Sequence, residues 1–303
     1  MTLTGIIPPV VTLLDEQGQI DVGKNKQMLD FLIEQGVHGL LLLGSSGEFP
    51  HFSFAEKQAY LTEIVPYVKD RVPVLVGTGG TVMEETIALS NYAADLGAAG
   101  VLVVNPYYWT MANEQLVSYF DTVAKAIHTD LYLYNIPQLT GQDIPIDVIV
   151  EVVERNANVR GIKETVASLS RIRQVIEQVA SRFEQFSVYS AFDEQLLDAQ
   201  IAGAAGSING TAVFFPEASV RLYNAIANED FAAIQHHHQQ LTTLMAMYSW
   251  HPSYFLSMKE ALYARLFPTE TVPMRAPFIY TSPNLRERAQ ALLHELSIKG
   301  GAQ

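Results

Sequence analysis

The sequence predicts a (β/α)8 barrel followed by a helical extension, and three observations predict it. Short apolar runs rich in leucine or β-branched residues recur about every 30 residues, helix-length amphipathic stretches fill the gaps between them, and eight such runs pass before the pattern turns wholly helical near residue 217. Near-continuous apolar strands alternating with helices argue for a parallel sheet covered on both faces. Eight such units suit a closed barrel better than an open doubly wound sheet.

In order, the strand candidates are TGIIPPV (4–10), HGLLLLGS (38–45), VPVLVGT (72–78), GVLVVNP (100–106), DLYLYNIP (130–137), VRGIKET (159–165), FSVYSAF (186–192) and GAAGSING (203–210). The last is rich in Gly and Ala and a poor strand former by composition; count and spacing place it. Between them lie helical patterns such as AEKQAYLTEIVPYVKD (55–70), MEETIALSNYAADLG (83–97) and NEQLVSYFDTVAKAI (113–127). Residues 1–217 are read as the barrel and 218–303 as a helical extension packed on it.

Composition narrows the function classes. At 303 residues and 49% hydrophobic, the chain can bury one large core. Cysteine is absent, which excludes disulfide scaffolds, thiolate metal sites and cysteine nucleophiles. A net charge of −13, dispersed along the chain, disfavours nucleic acid and anionic membranes. The start MTLTGIIPPV lacks a secretory pattern, and no apolar run has the length of a membrane helix, so a cytoplasmic protein is expected.

Barrel active sites lie at the C-terminal ends of the strands. Those ends carry Gly44-Ser45-Ser46-Gly47-Glu48, Thr78-Gly79-Gly80-Thr81, Asn105-Pro106-Tyr107-Tyr108-Trp109, Tyr134-Asn135-Ile136-Pro137, Lys163 and Phe192-Asp193-Glu194. Lys163 is the one lysine of eight inside a strand candidate. Burial lowers a lysine's pKa, and the neutral amine condenses with a ketone to a protonated Schiff base, an electron sink for the neighbouring C–C bond. An ion pair with a nearby acid is the alternative. Tyr134 ends the adjacent strand, as a proton shuttle beside an iminium or as a core tyrosine with a satisfied hydroxyl. GSSGE offers backbone N–H groups and two hydroxyls to a carboxylate, and reads equally as an N-cap with Glu48 in the first helical turn; the two can hold together. GTGGT lacks a P-loop lysine and reads as a tight turn, and Asp193-Glu194 read as capping residues. His236, His237 and His238 point about 100° apart on a helix, so no metal site is expected.

GSSGE, NPYYW, YNIPxLTG and GIKET, in that order on those strands, resemble the dihydrodipicolinate synthase / N-acetylneuraminate lyase superfamily of class I aldolases along essentially the whole chain. The resemblance implies Lys163 as the Schiff-base lysine and Tyr134 as the proton-shuttling tyrosine. It implies Ser45, Ser46 and the adjacent Gly47 as the holder of a 2-oxo acid's carboxylate, and Thr165 and Ile208 as pocket lining. Tyr108 matches a tyrosine that in many members reaches a neighbouring subunit's site, so a dimer or tetramer is implied. No metal or organic cofactor is implied. Leu139 stands where the synthases carry an arginine for a second carboxylate. FDE at 192–194 is similar to a sialate lyase segment, whereas GIIPPV, GQID, VLVGTGGT, NPYYW and LTGQD together resemble the bacterial 2-keto-3-deoxy-gluconate aldolase branch. The expected activity is therefore cleavage of a 2-keto-3-deoxy sugar acid to pyruvate and an aldehyde such as glyceraldehyde. The alternatives are another pyruvate-dependent member (N-acetylneuraminate lyase or 4-hydroxy-tetrahydrodipicolinate synthase), a dehydratase or hydratase-aldolase, and a catalytically silent pyruvate-binding barrel.

Overall fold

The computed structural model describes residues 3–278 and 284–300. Its strands are β1 (Gly5–Ile6), β2 (Leu40–Leu42), β3 (Val74–Gly77), β4 (Gly100–Val104), β5 (Leu131–Asn135), β6 (Val159–Glu164), β7 (Ser187–Ser190) and β8 (Gly206–Ser207). All pair in parallel in the order β1-β8-β7-β6-β5-β4-β3-β2. The remaining seam is closed just past β1, where Leu41 N donates to Pro8 O at 3.0 Å and Val10 N donates to Leu41 O at 3.0 Å. The chain is thus the (β/α)8 barrel expected, each strand candidate supplying one stave.

Strand alternation divides the core. Leu40, Leu42, Val74, Val76, Val101, Val103, Leu131, Leu133, Ile162 and Val188 join the shell between sheet and helices. Ile7, Leu41, Leu75, Leu102, Val104, Tyr132, Tyr134, Tyr189 and Ile208 form a second cluster inside the barrel. Both faces of each strand are buried, which is why the runs read as continuously apolar. The weak eighth run has a packing reason. A Cβ on Gly206 would lie 2.0 Å from Gly5 O, so only glycine lets β8 approach β1.

The surrounding helices are α1 (Val22–Glu34), α2 (Phe54–Val68), α3 (Met83–Asp95), α4 (Asn113–Ala126), the short α5 (Pro137–Thr140), α6 (Ile146–Arg155), α7 (Leu169–Val175, continued as a π-helix through Ala180), α8 (Leu196–Ile201) and α9 (Pro216–Ala227). Helix α9 packs against β1 and α8. Beyond it follow α10 (Phe231–Leu244), α11 (Tyr254–Leu266) and α12 (Leu285–Gly300). Nine consecutive residues of α11, Phe255 to Tyr263, are buried, so this helix lies inside the molecule rather than on it. Among the described residues no helix is long and apolar enough to cross a membrane.

Candidate active site

Parallel register brings the two central residues together. Tyr134 on β5 is the direct partner of Lys163 on β6, and both side chains point into the barrel. Lys163 is 5% exposed; its Nζ donates to Tyr134 Oη at 3.4 Å and sits 4.4 Å from the centre of the phenol ring. Burial pulls the Lys163 amine down to about 7, with Asp193 pulling the other way. Burial also pushes the Tyr134 phenol up, opposed by the Ser45 hydroxyl and then by that of Thr165. Ser45 Oγ and Tyr134 Oη share a hydrogen bond of 3.2 Å. Thr165 Oγ1 lies near the phenol but outside hydrogen-bonding geometry, and is buried without a partner.

The β5 and β6 ends are anchored from outside the barrel. Glu164, pointing away from the site, accepts from Asn135 Nδ2 at 2.7 Å and from Arg171 Nη2 at 3.1 Å. Asn135 also donates to Asp143 and accepts from Ile144 N. Gln142 brackets the backbone of Met111, donating to its O at 2.6 Å and accepting from its N at 2.9 Å. The LTGQD stretch therefore ties the loops after β4 and β5 and holds the strand ends that carry Tyr134 and Lys163.

Ser45 to Glu48 form a tight turn, closed by Glu48 N donating to Ser45 O at 3.1 Å. Thr12 Oγ1 holds Gly47 O at 2.8 Å, and a Cβ on Gly47 would meet Val10 O at 3.0 Å. Leu43 and Glu48 both have positive φ, 52° and 57°, a concentration of backbone strain typical of functional loops. The helical reading of GSSGE needs correction here. Glu48 is left-handed and outside any helix, and the cap of α2 is Ser53, boxed with Glu56. Glu48 instead reaches Lys259 on α11.

A cavity of about 300 Å³ is lined by Ser46, Tyr134, Lys163, Thr165, Ile208, Phe192, Leu139, Tyr248 and Tyr254 among others. It adjoins a chamber of about 320 Å³ lined by Ser45, Glu48, Phe49, His51, Tyr107, Leu139, Tyr254 and Phe278 among others. Ser45, Ser46, Thr165, Ile208, Tyr134 and Lys163 thus line two adjoining spaces, and Gly47 lies in the turn that carries the two serines without lining either. Within the described residues of this chain Tyr108 stands apart from both: it is 80% exposed with its ring against Trp109, whereas the preceding Tyr107 lines the chamber. A larger concavity of about 880 Å³ lies on the outer face between α6 and Arg182 and contains none of these residues. Among the described residues no group of three or more His, Asp or Glu could hold a metal ion.

Asp193 needs a second correction. It is fully buried and serves a distant segment rather than its own turn, accepting from Asn209 Nδ2 at 2.6 Å, from Thr211 N at 3.1 Å and Thr211 Oγ1 at the start of the 3-10 turn Thr211–Val213, and from Tyr248 Oη at 2.8 Å. Burial pushes its carboxyl up, and those four donors pull it back. Asp193 joins β7 to the 3-10 turn after Leu244 and is the acid felt by Lys163. Tyr254 went unnoticed in the sequence although its phenol lies against Ser45 and Ser46. Its signal was weak, since it sits in the C-terminal helices, far from any strand end.

A lowered lysine, a phenol at its amine and a turn bearing two hydroxyls meet at one barrel mouth, the combination of groups that Schiff-base chemistry on a 2-oxo acid requires. The model of the dihydrodipicolinate synthetase family matches residues 2–296. The chain belongs to that family. It is an aldolase of the family and hence a lyase. It is 37% identical over 276 residues to YagE of Escherichia coli strain K12, named as a 2-dehydro-3-deoxy-D-gluconate aldolase, covering 90% of this chain and 91% of that one. It is 34% identical over 290 residues to YjhH of the same strain, named as a 2-dehydro-3-deoxy-D-pentonate aldolase, covering 96% of each. The crystal structure of YagE in complex with pyruvate superposes with a TM-score of 0.91 at 35% identity, over 97% of this chain and 98% of that one. The dihydrodipicolinate synthase of Aquifex aeolicus gives 0.90 at 26% identity, over 98% and 99%.

Proposed function

We propose that the protein reversibly cleaves a 2-keto-3-deoxy sugar acid of the gluconate or pentonate type to pyruvate and a neutral aldehyde such as glyceraldehyde. Ser45, Ser46 and the adjacent backbone N–H groups seat the substrate carboxylate. Neutral Lys163 adds to C2, Tyr134 gives its proton to the departing C2 hydroxyl, and loss of water leaves the protonated imine beside the Tyr134 phenolate. Tyr134, protonated while the site is empty, becomes more acidic once that positive charge is beside it. As phenolate it takes the C4 hydroxyl proton while C3–C4 breaks and the electron pair enters the imine to give an enamine. Protonation at C3 and hydrolysis release pyruvate. The lysine is its own electron sink, so the proposal invokes no metal or organic cofactor. Tyr108 supports the Tyr134 hydroxyl of a neighbouring subunit in a homo-oligomer.

The observation that carries this reading is Lys163, lowered to about 7 and in contact with the Tyr134 phenol. Among the described residues lining either chamber, Lys163 is the sole lysine or arginine, and Leu139 is 55% exposed at their shared wall. A second carboxylate or a phosphate would find no guanidinium there, which favours a neutral aldehyde over the synthase reaction. Incubation with 2-keto-3-deoxy-gluconate and product analysis tests the reading. Pyruvate and glyceraldehyde in equal amounts are expected; a dehydrated acid, or no turnover of this or the pentonate homologue, refutes it.

A further inference from the structure

The turn that carries Ser45 and Ser46 ends on an acid, an unfavourable neighbour for an anionic substrate. Glu48 is 3% exposed and lines the same chamber as Ser45. Its carboxylate meets Lys259 Nζ, itself 1% exposed, in the middle of the buried helix α11. Neither Glu48 Oε1 nor Lys259 Nζ has a hydrogen-bond partner elsewhere among the described residues, so each depends on the other. Glu48 Oε2 lies 3.4 Å from His51 Nδ1. Other charges nearby are spoken for: Glu260 turns to Arg286 at 2.6 Å, and Arg275 is held by Glu56 at 2.6 Å and His51 O at 3.0 Å.

Burial pushes the Glu48 carboxyl up, but His51 and Lys259 outweigh it and hold it below the ordinary carboxylate range. It is therefore an anion one turn from the carboxylate-binding hydroxyls. The same helix begins at Tyr254, whose phenol lies against both serines. Helix α11 thus delivers to this turn both a phenol and an amine; burial pulls the Lys259 amine below the ordinary lysine range while the Glu48 carboxylate pulls it back up, and it is the contact with that carboxylate that favours the ammonium.

We propose that Lys259 is a positioning residue that cancels the charge of Glu48, and that the resulting neutral turn lets the site bind a 2-oxo acid carboxylate. The proposal rests on the assignment of Ser45 and Ser46 to that carboxylate. A structural anchor alone predicts that every break in the pair weakens binding. Charge cancellation predicts a sign pattern instead: losing the cation weakens binding, losing the anion does not, and losing both restores it.

The test is the pyruvate KM in the aldol direction, at mildly alkaline pH, for wild type, Lys259→Met, Glu48→Gln and the double variant, with borohydride trapping of pyruvate on the wild type in parallel. Lys259→Met should raise KM by about tenfold, the effect of about 1.4 kcal/mol, with kcat little changed. Glu48→Gln should leave KM unchanged or lower it, and the double variant should return KM to within about threefold of wild type. A KM raised in all three, or unchanged in Lys259→Met, overturns the proposal. Should Lys259→Met fail to fold, Glu48→Gln decides, because an anchor role requires its KM to rise. If the wild type traps no pyruvate, the carboxylate assignment has failed, and with it the premise; trapping without the sign pattern sinks the proposal alone.

Discussion

Replacing Lys163 by Met should abolish activity and at the same time stabilise the fold. The amine is 5% exposed and its pKa falls from 10.5 to about 7 because burial disfavours the ammonium. The folded value is below the unfolded one, so unfolding takes up a proton between about pH 7 and pH 10.4. Stability is therefore lost as pH falls through that window and is flat below it. At about 1.4 kcal/mol per pH unit, the penalty on the wild type is about 4 kcal/mol at pH 7 and about 2 kcal/mol at pH 9. Methionine has a similar shape and no charge, and escapes the penalty at both. Denaturant unfolding of the two proteins at the two pH values measures it. The variant should be the more stable at pH 7, with a margin that about halves at pH 9. An equal or smaller stability at pH 7, or a margin independent of pH, would mean that Lys163 rests as an ammonium paired with Asp193, and would refute the neutral-nucleophile argument.

Three other outcomes follow from the same geometry. Tyr134→Phe should lower kcat by about 10² to 10⁴ while still trapping pyruvate, because the shuttle is lost and the lysine is not; steady-state rates beside trapped mass show it. Asp193→Asn should shift the acid limb of the pH–rate profile to lower pH, since the carboxylate raises the Lys163 pKa, and should lower stability by about 1–3 kcal/mol through its buried donors. Mixing inactive Lys163→Ala with weakly active Tyr108→Phe under subunit exchange should recover activity, because one protomer supplies the tyrosine that the other lacks; no recovery would confine Tyr108 to its own chain.

The barrel was legible because each strand is buried on both faces, which makes an uninterrupted apolar run, and because Lys163 breaks one such run. Tyr134 was legible by adjacency, since consecutive parallel strands place their ends side by side. The last stave was nearly invisible: β8 is two residues long, and its glycines answer to the close approach of β1 rather than to strand propensity. For Glu48 and Asp193 the nearby sequence points to local capping, because it gives no hint of distant partners. Those partners, Lys259 and Tyr248, lie 211 and 55 residues further on. Lys259 interrupts the apolar helix FLSMKEALY much as Lys163 interrupts its strand, and that irregularity was the available signal.

The central claim is that Lys163 forms the Schiff base. Intact mass after mixing the protein with pyruvate and borohydride, beside Lys163→Ala treated identically, tests it most directly. The account predicts one reduced pyruvyl group on the wild type and none on the variant. An unmodified wild type, or an equal adduct on the variant, would contradict it.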